Sequence, residues 1–133
     1  MEDPQAFVAT VQQQFAFLVQ QYGFTATVTH VQGTYRSEVV FDSEHLKITI
    51  GIWGQGNELW VILAPQEKKP LHLPPLLNGL TDDREYFQKH VEQRLGSPIY
   101  AGSYPEYLRL CALELKQHAG DILAGDLARW PGA

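Results

Sequence analysis

Alternation of apolar and polar positions is strongest between Leu46 and Ala64, in LKITIGIWGQGNELWVILA. It predicts two strands, Leu46–Trp53 and residues 58–64, around a Gly-rich loop at 54–57. Successive side chains on a strand point to opposite faces. With Trp53 opposite Glu58, the pairs Ile52–Leu59, Ile50–Val61 and Ile48–Leu63 make one face wholly aliphatic, so that face must be covered. The other face carries Lys47, Thr49, Gly51, Trp53, Glu58, Trp60 and Ile62. Trp60 falls opposite Gly51, where an aromatic ring can lie over a residue that has no side chain.

Two further alternating runs precede this pair. Residues 24–30 place Phe24, Ala26 and Val28 on one side and three threonines on the other. Residues 35–41 place Tyr35, Ser37, Val39 and Phe41 on one side and Arg36, Glu38 and Val40 on the other. Four-residue loops at 31–34 and 42–45 then pair Phe24 with Phe41, Ala26 with Val39, and Val39 with Ile48. All apolar sets share one side of a four-stranded antiparallel meander, and a one-residue slip in any hairpin would break that agreement.

Helical spacing brackets the sheet. Phe7, Val11, Phe15, Leu18 and Tyr22 form the stripe of a helix over 3–22, with Asp3 as N-cap, Pro4 in the first turn and Gly23 as its stop. A second helix is expected over 81–95, capped by Thr81, with acidic Asp82, Asp83 and Glu85 against its dipole, Phe87, Val91 and Leu95 inward, and Gly96 after it. A third, over 104–119, opens on the capping box Ser103–Glu106 and buries Leu108, Cys111, Ala112 and Leu115. A short turn at 121–127 and an anchoring Trp130 close the chain. The intervening PQEKKPLHLPPLLNGL has four prolines and reads as an extended connection rather than a fifth strand, its leucines against the core. The expectation is a single α+β domain over 1–133: an N-terminal helix, a four-stranded antiparallel meander, then two to three C-terminal helices packed on one sheet face.

Composition narrows the chemistry. A net charge of −5 with ten Lys and Arg argues against a phosphate-tracking surface, so no nucleic-acid partner is expected. One cysteine, Cys111, gives no disulfide framework and no multi-Cys metal site, and a reducing cytoplasm is its natural setting. The acidic start MEDPQAF has no basic signal-peptide region, and no run of about 18 apolar residues predicts a membrane span. The five histidines lack metal-ligand spacing, and neither a phosphate-cradling Gly-rich loop nor a G-x-S-x-G elbow occurs. No catalytic residue, metal or cofactor is therefore assigned. The set that remains is Trp53, Trp60 and Ile62 beside Arg36 and Lys47 on the mixed sheet face. Three readings are open for it: cover by the chain's own Pro-rich segment or C-terminal helix, a homodimer interface, or contact with a protein partner, for which Trp and Arg are favoured anchors. The alternative is a small-molecule site or minor enzyme pocket between the sheet and the Pro/Leu-rich segment.

Leu18, Tyr22, Gly23 and Phe24, together with Leu115, Lys116, His118, Ala119, Asp121, Ile122, Leu123, Gly125 and Asp126, resemble a family of small uncharacterised bacterial α+β proteins. Its members pair a YGF helix end with a C-terminal ILxGD segment. The resemblance implies helix termini and packing rather than a catalytic set. By analogy with other small bacterial α+β proteins, it implies an immunity-like role against a cognate protein.

Overall fold

The computed structural model describes residues 4–31, 36–53, 58–95 and 104–131. The N-terminal helical stretch is two helices, α1 (Pro4–Gln14) and α2 (Ala16–Tyr22), not one. Phe15 breaks it at φ −107°, ψ 18°. A regular helix would set Phe17 about 200° around the axis from Phe15. The break lets Phe15, Phe17 and Leu18 all enter the core, where Phe15 meets Phe41 at a centroid distance of 6.4 Å. Gly23 ends α2 in the left-handed region at φ 73°, and the Phe24 N–H donates to the Leu18 carbonyl.

Strands β1 (Thr25–Val31), β2 (Arg36–Asp42), β3 (Leu46–Trp53) and β4 (Glu58–Pro65) form the expected antiparallel meander. The β3–β4 register is the one the alternation predicts, from Trp53 opposite Glu58 to Ile48 opposite Leu63. The other two registers slide by two residues: Ala26 faces Phe41, Val28 faces Val39, and Val39 faces Ile50. An even slide keeps every side chain on its face. The β2–β3 turn is shorter than expected. Ser43 N–H donates to the Leu46 carbonyl at 2.9 Å, and Ser43 Oγ accepts the His45 and Leu46 N–H groups. Only Glu44 and His45 lie between the closing residues.

The Pro-rich stretch departs most from expectation. Leu71–His72 form a fifth strand, β5, paired with Ile62 and Leu63 of β4, and Leu73–Thr81 form helix α3. Pro74 and Pro75 sit in its first turn, where the missing N–H groups have no helical partner to lose. Leu73, Leu76 and Leu77 are buried at helical spacing. Thr81 therefore ends α3 instead of capping the next helix, and its hydroxyl donates back to the Leu77 carbonyl at 2.8 Å. Asn78 performs the junction: its Nδ2 donates to the Arg84 carbonyl and its Oδ1 accepts the Phe87 N–H, both at 2.9 Å. Asp83 Oδ1 accepts the Glu85 N–H. The second helical region then runs as a π-helical segment, Gln88–Glu92, followed by α4 (Gln93–Leu95).

Helix α5 (Tyr104–His118) matches its expectation, and α6 (Gly120–Leu123) follows it. α5 packs on α1 and α3, while α1 lies over β2 and α3 over β4, so the helices cover the aliphatic sheet face. Val39, Phe41, Ile48, Ile50, Ile52, Val61 and Leu63 are all buried there. β1 is the exception. Phe24 beside it is buried, but Ala26 and Val28 on the same face are exposed, so the helices do not reach across the outermost strand. Trp130 is buried as the anchor it was expected to be, and Pro131 lies so close to Gly79 that a Cβ there would meet it at 2.5 Å. The expected Asp3 cap, most of the 31–34 loop, the 54–57 loop, the Gly96 stop and the Ser103 cap lie outside the described residues.

Candidate functional site

With the helices on one side, the outer side chains of the sheet fall into rows set by the registers. Thr29, Glu38, Gly51 and Trp60 form one row across β1 to β4; Thr27, Val40, Thr49, Ile62 and His72 form the next, across all five strands. Trp53 stands opposite Glu58 beside the first of these rows. The Trp60 indole lies across Gly51, and a Cβ on Gly51 would stand 2.2 Å from its Cε2 and Cζ2. Glycine at this position is what allows the ring to lie flat over β3.

Arg36 completes the arrangement. Its guanidinium carbon lies 5.5 Å from the Trp60 ring centroid, in cation–π range. Its Nε donates to Glu38 Oε1 at 2.8 Å. Glu38, on the row of Trp60, thus holds the guanidinium and sets its orientation. Arg36, Trp53, Glu58, Leu59, Trp60, Ile62 and His72 line an open concavity of about 730 Å³. Trp53 is 48% exposed, whereas Trp60 and Ile62 are half-buried.

Four of the five residues singled out from the sequence, Arg36, Trp53, Trp60 and Ile62, thus share this hollow. Lys47 does not line it. It is exposed on the same face, in the row of Asp42 and Ala64, beyond the row of Ile62. Sequence reasoning missed His72, because β5 was read as part of an unpaired connection. Its signal was register: a strand added beside β4 puts His72 opposite Ile62. The Leu71–Leu80 stretch divides between the hollow and the core. Its buried leucines join the core, and His72 is its sole contribution to the hollow.

A second polar constellation lies away from this face. Tyr86 Oη donates to Glu114 Oε2 at 2.6 Å and lies 2.7 Å from His118 Nε2, which is itself 3.3 Å from Glu114 Oε2. One phenol proton serves one acceptor, so with that proton on Glu114 the His118 Nε2 carries a hydrogen and donates to Tyr86 Oη. The His90 ring of the π-helical segment stacks on Tyr86 at 4.2 Å. Burial, then the hydrogen bond and charge of Glu114, push the Tyr86 phenol up to about 12. Glu114 and His118 are one helical turn apart on α5, and that spacing was the available signal. The arrangement ties α5 to the second helical region across a carboxylate that is 8% exposed. Cys111 is fully buried as expected, and burial drives its thiol well above the ordinary range, which leaves it inert as a nucleophile. No group of three or more His, Cys, Asp or Glu side chains among the described residues is placed to hold a metal ion. Among the same residues, no helix is long and apolar enough to cross a membrane.

Comparison with family models, with curated proteins and with solved structures finds no match to this chain.

Proposed function

We propose that this chain is a non-enzymatic protein-binding module, cytoplasmic and immunity-like, whose contact surface is the Trp-bearing outer sheet face. One observation carries the reading: Trp53 and Trp60 stand beside Arg36 in a hollow that the helices leave open. Trp and Arg dominate the energetically decisive positions of protein interfaces, above all where a concave pocket desolvates them. The Arg36–Glu38 pair pre-organises the guanidinium, which lowers the ordering cost of binding. The resemblance of the YGF and ILxGD segments to small bacterial α+β proteins supports an immunity-like partner, a cognate protein held on this face.

The test uses wild-type, Trp53→Ala, Trp60→Ala and Leu113→Ala chains as bait, followed by reconstitution of any captured protein from pure components. Leu113 is 43% exposed on α5, on the helical side of the sheet, and controls for a lost apolar surface. A partner that binds wild type and Leu113→Ala but at least tenfold more weakly to both Trp variants supports the reading. Equal affinity for all four removes this face from consideration.

A second reading rests on the hollow itself. Its volume of about 730 Å³ lies in the range of small-molecule sites, and two indoles with Arg36, Glu58 and His72 offer stacking planes and polar contacts. Saturable quenching of tryptophan fluorescence by a small ligand, lost in Trp60→Ala, would favour it.

A further inference from the structure

We infer that β1 is a self-pairing edge through which two copies of this chain join into one continuous ten-stranded antiparallel sheet. Among the described residues β1 ends the sheet, with β2 as its neighbour on one side. Edge strands of natural proteins are ordinarily blunted by a lysine, a proline, a bulge or a covering segment. The seven residues TATVTHV contain none of these charges or breakers, their pairing with β2 is continuous, and Thr25 to Thr29 are all exposed.

The direction of the backbone groups follows from the neighbouring hairpin. Ser43 N–H points at β3, where it bonds the Leu46 carbonyl. Backbone groups alternate sides along a strand. Phe41, Val39 and Ser37 therefore also address β3, and Asp42, Val40, Glu38 and Arg36 address β1. Their partners Thr25, Thr27, Thr29 and Val31 bond back to β2. The N–H and C=O groups of Ala26, Val28 and His30 consequently point away from the sheet.

Those three residues are placed symmetrically about the middle of the strand. A two-fold axis through Val28 pairs Val28 with Val28 of the partner subunit and Ala26 with His30 of the partner subunit. All outward donors and acceptors of these three residues are then matched over the full strand. Such an axis sets Val28 directly against its own counterpart, so a charge at that position would repel itself. β1 has no charged residue, and Thr27 would face Thr29 of the partner subunit, a favourable β-branched pair. Val28, 38% exposed on the helical face, would be covered by its mate.

A two-fold axis normal to the sheet leaves both outer faces on one side. With strands spaced about 4.8 Å apart, the two Trp-bearing hollows would lie roughly 30 Å from each other, facing the same way. A partner with two equivalent epitopes would then be held bivalently.

The test is sedimentation equilibrium of the full chain with Val28→Pro and Val28→Lys variants. The Val28 N–H does not serve the β1–β2 ladder, so proline there leaves the internal sheet bonds in place. Val28→Lys retains the N–H but sets two charges against each other. A wild-type dimer whose dissociation constant rises at least tenfold in both variants, with unchanged far-UV circular dichroism, supports the pairing. Concentration-dependent protection of the Ala26, Val28 and His30 amides from hydrogen exchange supports it by a route that needs no variant. A wild type that stays monomeric at millimolar concentration overturns it. A dimer indifferent to both substitutions, or one dissolved by Trp53→Ala instead, overturns it as well.

Discussion

The Trp60 ring occupies the space that a Gly51 side chain would fill, with Cε2 and Cζ2 2.2 Å from the position of a Cβ. Gly51→Ala must move the ring, and the atoms in the way are the far end of a side chain rather than backbone. The strand can therefore survive: alanine loses less entropy on folding than glycine, which offsets part of the disturbance. The expected result is an unfolding midpoint within a few degrees of wild type together with a shifted tryptophan emission maximum. Arg36, which lies against the ring, should lose its fixed position, and capture of a partner by the outer face should weaken.

The inner face has no such tolerance. Ile50 is fully buried between Val39 and Val61. Ile50→Asp would bury a carboxylate with no counter-charge among these aliphatic neighbours. A cost of several kcal/mol is expected against a total of roughly 5–15 kcal/mol. Loss of the cooperative thermal transition is the outcome to look for, and a folded Ile50→Asp variant would disprove the assignment of this face to the core.

These two residues mark what could be read from the chain. Both lie in β3, where strict alternation fixes faces and a two-sided match with β4 fixes register, so the Trp60–Gly51 and Ile50–Val61 relationships were legible. The β1–β2 and β2–β3 registers were right in face but off by two, because alternation repeats every two residues and cannot count the residues in a turn. Ser43, by taking its bonds to His45 and Leu46, decided the second of these. Reading the four prolines as the mark of an extended connection hides α3, because Pro74 and Pro75 stand where a helix tolerates proline. With α3 went His72 and β5. The Tyr86–Glu114–His118 contact joins residues up to 32 positions apart and depends on the path between α3 and α5, which no local pattern encodes.

The C-terminal tail is fastened by a forked contact. Arg129 Nε donates to Asp121 Oδ2 at 2.8 Å, its Nη2 to Asp121 Oδ1 at 2.6 Å, and Nη2 also reaches the His118 carbonyl at 2.7 Å. The guanidinium holds the Asp121 carboxyl below its ordinary value of 3.8. A depressed carboxylate contributes stability that is present above 3.8 and is lost as pH falls through the lower folded value. Arg129→Ala should therefore lower the urea midpoint at neutral pH and differ less from wild type in strong acid. Trp130, the buried neighbour of Arg129, should show a changed indole resonance in the variant. An Arg129→Ala deficit as large in strong acid as at neutral pH would refute the ion pair as its source.

Tyr86 gives the opposite pH signature. Its phenol is raised from 10.0 to about 12, first by burial and then by Glu114. A group whose folded value is raised favours the folded state fully below the unfolded value, and that contribution fades as pH climbs through the folded one. The wild type should lose stability between pH 10 and about 12 through this group. Tyr86→Phe removes the titrating proton and also leaves Glu114 without its phenol donor. At neutral pH, loss of that hydrogen bond to a largely buried carboxylate should cost about 1–3 kcal/mol. Denaturant titrations at pH 7 and across the alkaline range test both parts: the Tyr86→Phe deficit should be largest at pH 7 and shrink steadily above pH 10. Other groups that ionise in this range, Tyr107 and Cys111 among them, are common to both proteins and cancel in the difference. A deficit that stays constant from pH 7 to 12 would mean that Tyr86 contributes by packing against His90 and His118 alone, not through its proton.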